Sequence, residues 1–101
     1  MEQFDRIRAM EARLNAVGAA LRALDQALDG YAAAREDLRA LNAYYGSEEW
    51  FRDREDDAAG KLPAALPRGV LSEDAVWNVL EEDRALLIRL LETAAETLRL
   101  P

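Results

Sequence analysis

Large hydrophobic residues recur over the first 43 positions at alternating steps of three and four. Ile7, Leu14, Leu21 and Leu28 fill one heptad position, and Met10, Val17, Leu24, Tyr31 and Leu38 fill the other. This is the 3.5-residue period of a coiled-coil seam. No proline interrupts the run. Gly18 lies in its interior, where glycine costs about 1 kcal/mol relative to alanine. The pattern predicts one long amphipathic helix over about 2–44, with Gly30, beside the seam residue Tyr31, as the point where a break would fall.

The periodicity stops at Gly46, a residue able to take the left-handed conformation that closes many helices, and Ser47 then stands ready to cap a second one. Glu48 and Glu49 fall in its first turn, where the helix dipole favours negative charge, and Trp50 and Phe51 give it an apolar anchor before Gly60. A short helix over about 48–58 follows. Pro63 and Pro67 force the residues before them into extended backbone, so 60–71 reads as a strap pinned by Leu62, Leu66, Val70 and Leu71. Ser72 caps the last helix, with Glu73 and Asp74 in its first turn and Leu71 and Val76 placed as a hydrophobic staple. Val76, Trp77, Leu80, Leu87, Leu90, Leu91, Ala94 and Leu98 form its apolar stripe, over about 73–99.

These elements predict an all-α fold, one helical domain over 1–101: a long antiparallel helical hairpin closed at one end by a short third helix and a proline-containing strap. If the ends of the hairpin are level, the last helix covers the first back to roughly residue 16, at about 1.5 Å per residue. Phe4, Ile7, Met10 and Leu14 then remain as an uncovered apolar face, which predicts a homodimer.

Composition narrows the chemistry. A chain of 101 residues, half hydrophobic and one third charged, makes one small domain that buries only about 60–65% of its unfolded surface. Cysteine and histidine are both absent, which excludes disulfides, thiolate metal sites and imidazole acid–base chemistry. The N-terminus lacks the apolar run of a signal peptide and no stretch is apolar enough to span a bilayer, so the expected location is cytoplasmic. The net charge of −7 is confined to 47–83, which holds 11 acids and 4 bases, whereas the rest holds nine of each. Such a field disfavours nucleic acid and anionic membrane surfaces and favours a basic protein partner.

The stretch 44–74 concentrates the unusual residues: three of the five glycines, two of the three prolines and two of the three tyrosines. Its run YYGS, Trp50, Asp53, Glu55-Asp56-Asp57, Gly60-Lys61-Leu62-Pro63 and RGVLSED resembles the small bacterial family catalogued as domain of unknown function 4298. The resemblance implies a helical protein of about this size and brings no biochemical role, so no site residue is carried over from it. The resemblance implies Tyr after SEDAV, where this chain has Trp77, which keeps a large aromatic and loses a phenol hydroxyl.

Two functional readings follow. In the first, the protein is a non-catalytic interaction or scaffold module binding through the acidic closed end, with Tyr44, Tyr45, Trp50, Asp53, Asp56, Asp57, Lys61, Arg68, Glu73 and Asp74 as the interaction surface. In the second, Glu49, Asp53, Asp56 and Asp57 supply hard oxygen ligands to Ca²⁺ or Mg²⁺ in a small cation-responsive regulator. A calcium loop starting at Asp53 fails, since Ala58 and Ala64 stand where the turn glycine and bidentate glutamate belong. A blander account has Arg52, Arg54, Lys61 and Arg68 neutralising the acids locally. A thin helical hairpin offers little concavity, so no enzyme, no catalytic residue and no cofactor is expected. The aromatics Tyr44, Tyr45, Trp50, Phe51 and Trp77 are expected to plug the closed end.

Overall fold

The computed structural model describes residues 2–99, and these residues are all-α. Helix α1 spans Gln3–Tyr44, α2 Glu48–Ala58 and α3 Glu73–Arg99, with a single 3₁₀ turn at Gly69–Leu71 before α3. Two long helices joined through a short helix and a proline-containing strap give the element order of the hairpin. α1 continues through Gly18 and Gly30 without a break. No helix among the described residues is long and apolar enough to cross a membrane.

The chain divides into two compact units, Met1–Glu36 and Asp37–Pro101. The first consists of α1 alone. None of its described residues is buried, and the heptad residues from Ile7 to Leu28 are 46–65% exposed. Ile7, Met10 and Leu14 are among the exposed seam residues of this unit. A unit made of one helix contains no second element against which to bury a stripe.

The second unit holds the core, formed by the buried side chains of Trp50, Leu71 and Val76. Tyr44, Tyr45, Leu62, Val70 and Leu80 are half-buried. The end of α1, both ends of α2 and the start of α3 are fixed by residues within a few positions of each. Gly46 takes φ 80°, and the Ser47 N–H then donates to the Tyr44 carbonyl at 3.0 Å. Ser47 caps α2 in extended backbone, its Oγ accepting from the Trp50 N–H at 3.2 Å. Gly60, at φ 72°, closes α2 with a paired turn: its N–H donates to the Asp57 carbonyl at 3.0 Å and the Lys61 N–H to the Asp56 carbonyl at 2.9 Å. Carbonyls that the helix would leave unsatisfied are thereby used.

The strap then makes a tight turn, Leu66 N–H to Pro63 carbonyl at 3.1 Å, before the 3₁₀ turn delivers Leu71 into the core. Ser72 caps α3, accepting from the Ala75 N–H at 3.4 Å. Leu71 and Val76, one residue before the cap and four after it, are both buried, the arrangement of a hydrophobic staple. Beyond Leu80 the apolar stripe of α3 is exposed, with Leu86, Leu87, Ile88, Leu90, Leu91 and Leu98 all in solvent.

Candidate functional site

Trp50 organises the closed end. Only 3% of its surface is exposed, and burying an indole requires a partner for its N–H. Nε1 donates to the Val70 carbonyl at 3.0 Å, which ties α2 to the strap twenty residues later. Tyr45 and Phe51 meet the ring edge-on, each with centroids 5.0 Å away. The Arg54 guanidinium lies 4.7 Å from the ring centroid, where the electron-rich face attracts a cation. Arg54 also pairs with Glu73 at 2.9 Å, and the Tyr45 hydroxyl donates to the Glu73 carbonyl at 3.1 Å. The start of α3 is thus held by α2 and by the end of α1.

The acids of α2 divide into two groups. Asp53 accepts from the Tyr44 hydroxyl, Asp57 pairs with Arg68, and Asp56 lies 4.0 Å from Lys61 Nζ. Arg68 further donates to the Pro63 carbonyl and, through Nε, to the Leu66 carbonyl at 3.3 Å. One guanidinium therefore holds a carboxylate of α2 and two carbonyls of the strap, the fork geometry that lysine cannot reproduce. Glu48, Glu49 and Glu55, in contrast, and Asp74 at the start of α3, are exposed and make no side-chain bond among the described residues.

The expected interaction residues accordingly separate. Trp50 is buried. Tyr44, Tyr45, Asp53, Asp57 and Arg68 are half-buried and bonded within the protein, and Lys61, Glu73 and Asp74 are exposed. The carboxylates Glu49, Asp53, Asp56 and Asp57 do not converge on a cation position, and no group of three or more acidic side chains among the described residues is arranged to hold a metal. These acids are turned apart by their own partners: Asp53 accepts from the neutral Tyr44 hydroxyl, while Asp56 and Asp57 face Lys61 and Arg68. The aromatic plug is also smaller than expected: Phe51 and Trp77 are each 53% exposed. Successive helix residues point about 100° apart, so seating Trp50 turns Phe51 outward and seating Val76 turns Trp77 outward.

Sequence reasoning missed Glu48 and Glu55 as members of the solvent-facing set. Their spacing of seven, which returns to the same helix face, was the available signal. The Arg54–Trp50 contact was available too, at a spacing of four on one helix.

The Tyr44 phenol is pushed up to about 12, chiefly by its hydrogen bond to Asp53, then by burial and by the negative charges of Asp53 and Glu49. With the folded value above the usual 10, the contribution of this bond to stability is full below pH 10 and is lost as pH rises from 10 towards 12. A phenolate absorbance titration should show a phase near pH 12, absent in Tyr44→Phe. The stability difference between wild type and variant should shrink across the same interval.

The profile of the DUF4298 family, a domain of unknown function, matches residues 7–93. With most of its length covered, the chain belongs to that family. No curated protein and no solved structure matches it.

Proposed function

We propose that this protein is a non-catalytic protein-interaction module whose docking face is the closed end, and that its partner there is a basic protein surface. The observation that carries the reading is the separation of the acids. Asp53, Asp57 and Glu73 are spent inside the molecule, while Glu48, Glu49, Glu55 and Asp74 stay in solvent without partners beside one unpaired base, Arg52. They rest on the best-fastened part of the chain, so a partner would meet a preformed charged surface and lose little ordering entropy. No cofactor is invoked. Neither nucleic acid nor an anionic membrane suits a surface of this sign.

The test is a pull-down from the native cell at low salt, comparing wild type with Glu48→Lys/Glu55→Lys. Both positions lie on one exposed face and touch none of the internal bonds, so helicity and melting should stay nearly unchanged. Capture of a basic partner should be lost, and wild-type capture should weaken as salt shortens the Debye length below about 8 Å. Recovery of every wild-type partner by the doubly reversed protein would end the reading and leave 44–74 a structural device.

A further inference from the structure

A second feature lies in the unit Met1–Glu36, apart from the closed end. Within Met1–Glu36 the described residues from Gln3 onward form one helix, none of them buried. Isolated helices of this kind gain most of their stability by packing an apolar face, not from propensity. Ile7, Met10, Leu14, Val17, Leu21, Leu24 and Leu28 keep strict heptad spacing, and Tyr31 completes four heptads. At about 1.5 Å per residue that seam runs roughly 36 Å. Alanines cover much of the remaining surface, at positions 9, 12, 16, 19, 23 and 33 among others. The seam therefore stands out by side-chain size, the property that makes knobs for a facing helix.

The residues flanking the seam decide what faces it. In heptad terms the positions preceding each first seam residue are Arg6, Arg13, Ala20 and Ala27, and the positions following each second one are Glu11, Gly18, Asp25 and Ala32. All the flanking bases lie on one side of the seam and all the flanking acids on the other. In an antiparallel pair of identical helices each flank faces its own kind, so no base can meet an acid. In a parallel, in-register pair the two flanks face one another with an offset of five residues, which places Arg6 against Glu11 of the second copy, twice by symmetry, and creates no like-charge contact. Among the described residues neither Arg6 nor Glu11 has a side-chain partner.

We propose that two copies of this chain associate through a parallel, in-register coiled coil of α1 over Ile7–Tyr31, with Arg6–Glu11 pairs fixing orientation and register. Ile7, Met10 and Leu14 are one end of this interface, not the whole of it, and Phe4 flanks that end. Coverage of the seam by α3 of the same chain, or by an unrelated helix, would give different results in the following experiment.

The full-length protein contains no cysteine, so single cysteines report orientation directly. Met10→Cys and Leu24→Cys should each form a disulfide-linked pair of chains under mild oxidation. Identical positions come within disulfide reach at both sites only when the helices are parallel and in register. Sedimentation of wild type at high micromolar concentration should give twice the 11.3 kDa chain mass. Leu14→Asp/Leu21→Asp should return the single-chain mass. Arg6→Glu should weaken association roughly 2- to 30-fold, the range for a few exposed ion pairs, and Arg6→Glu/Glu11→Arg should restore it. A wild-type single-chain mass, cross-linking at only one site or at neither, or an Arg6→Glu variant that associates as tightly as wild type would overturn the proposal.

Discussion

Trp50→Ala is expected to lower the unfolding free energy of the second unit by about 3–5 kcal/mol, the range for emptying a buried aromatic site. The 65 residues of Asp37–Pro101 would ordinarily carry about 3–10 kcal/mol in total, so the substitution removes roughly a third or more of that stability. Three losses combine. The core gives up its largest side chain, the Val70 carbonyl loses its donor, and the Arg54 guanidinium loses the ring beneath it. Trp50→Phe separates them, because it restores an aromatic ring and still leaves the carbonyl without a partner, which costs about 1–3 kcal/mol. Urea denaturation followed by circular dichroism measures both. A loss below about 1 kcal/mol for Trp50→Ala would mean that the strap and α2 hold together without the indole, and Trp50 would cease to be the centre of this end.

How much of this arrangement the sequence encodes legibly depends on the range of the interaction. Helix ends are local: Gly46 and Ser47, Gly60, and Ser72 with Leu71 and Val76 each act on backbone within a few residues, and the structure uses each in the capping role read from the sequence. The partners of the acids are not local. Asp53 bonds to a tyrosine 9 residues away, Asp57 to an arginine 11 away and Glu73 to an arginine 19 away. A reading confined to spacings of three and four sees the cluster without its partners, so a cation site and a neutralised surface look alike. The choice between Trp50 and Phe51 for burial is likewise set from outside the helix, by a strap carbonyl that accepts from an indole N–H. The heptad seam of α1 was plain in the sequence, but how much of it lies in water was not. That depends on what else packs in the same unit, and there the unit contains nothing else.

The strap is the segment in which such a non-local contact has the clearest consequence. Between Lys61 and the 3₁₀ turn it contributes one backbone bond of its own, Leu66 to Pro63, and Arg68 supplies the side-chain hydrogen bonds to its carbonyls. Arg68 and Asp57 have side chains 30% and 31% exposed, between a surface pair worth about 0–1 kcal/mol and a buried pair whose disruption costs about 3–5 kcal/mol. Two carbonyls share the same guanidinium, which places the expected cost of Arg68→Lys at about 1–3 kcal/mol, because an ammonium keeps the charge but cannot reach all three acceptors at once. Asp57→Asn should cost less, since the amide oxygen still accepts from the fork. Native-state hydrogen exchange locates the effect. In Arg68→Lys the Leu66, Leu71 and Ser72 amides, together with the Trp50 indole N–H that bonds Val70, should exchange roughly 5- to 150-fold faster, the equivalent of that free energy. Amides in the middle of α3 should change little. Equal acceleration everywhere would indicate that the strap opens only with the whole unit. Unchanged exchange at all four sites would mean that Arg68 is an ordinary surface cation, leaving Trp50 and Leu71 to hold the strap through packing alone.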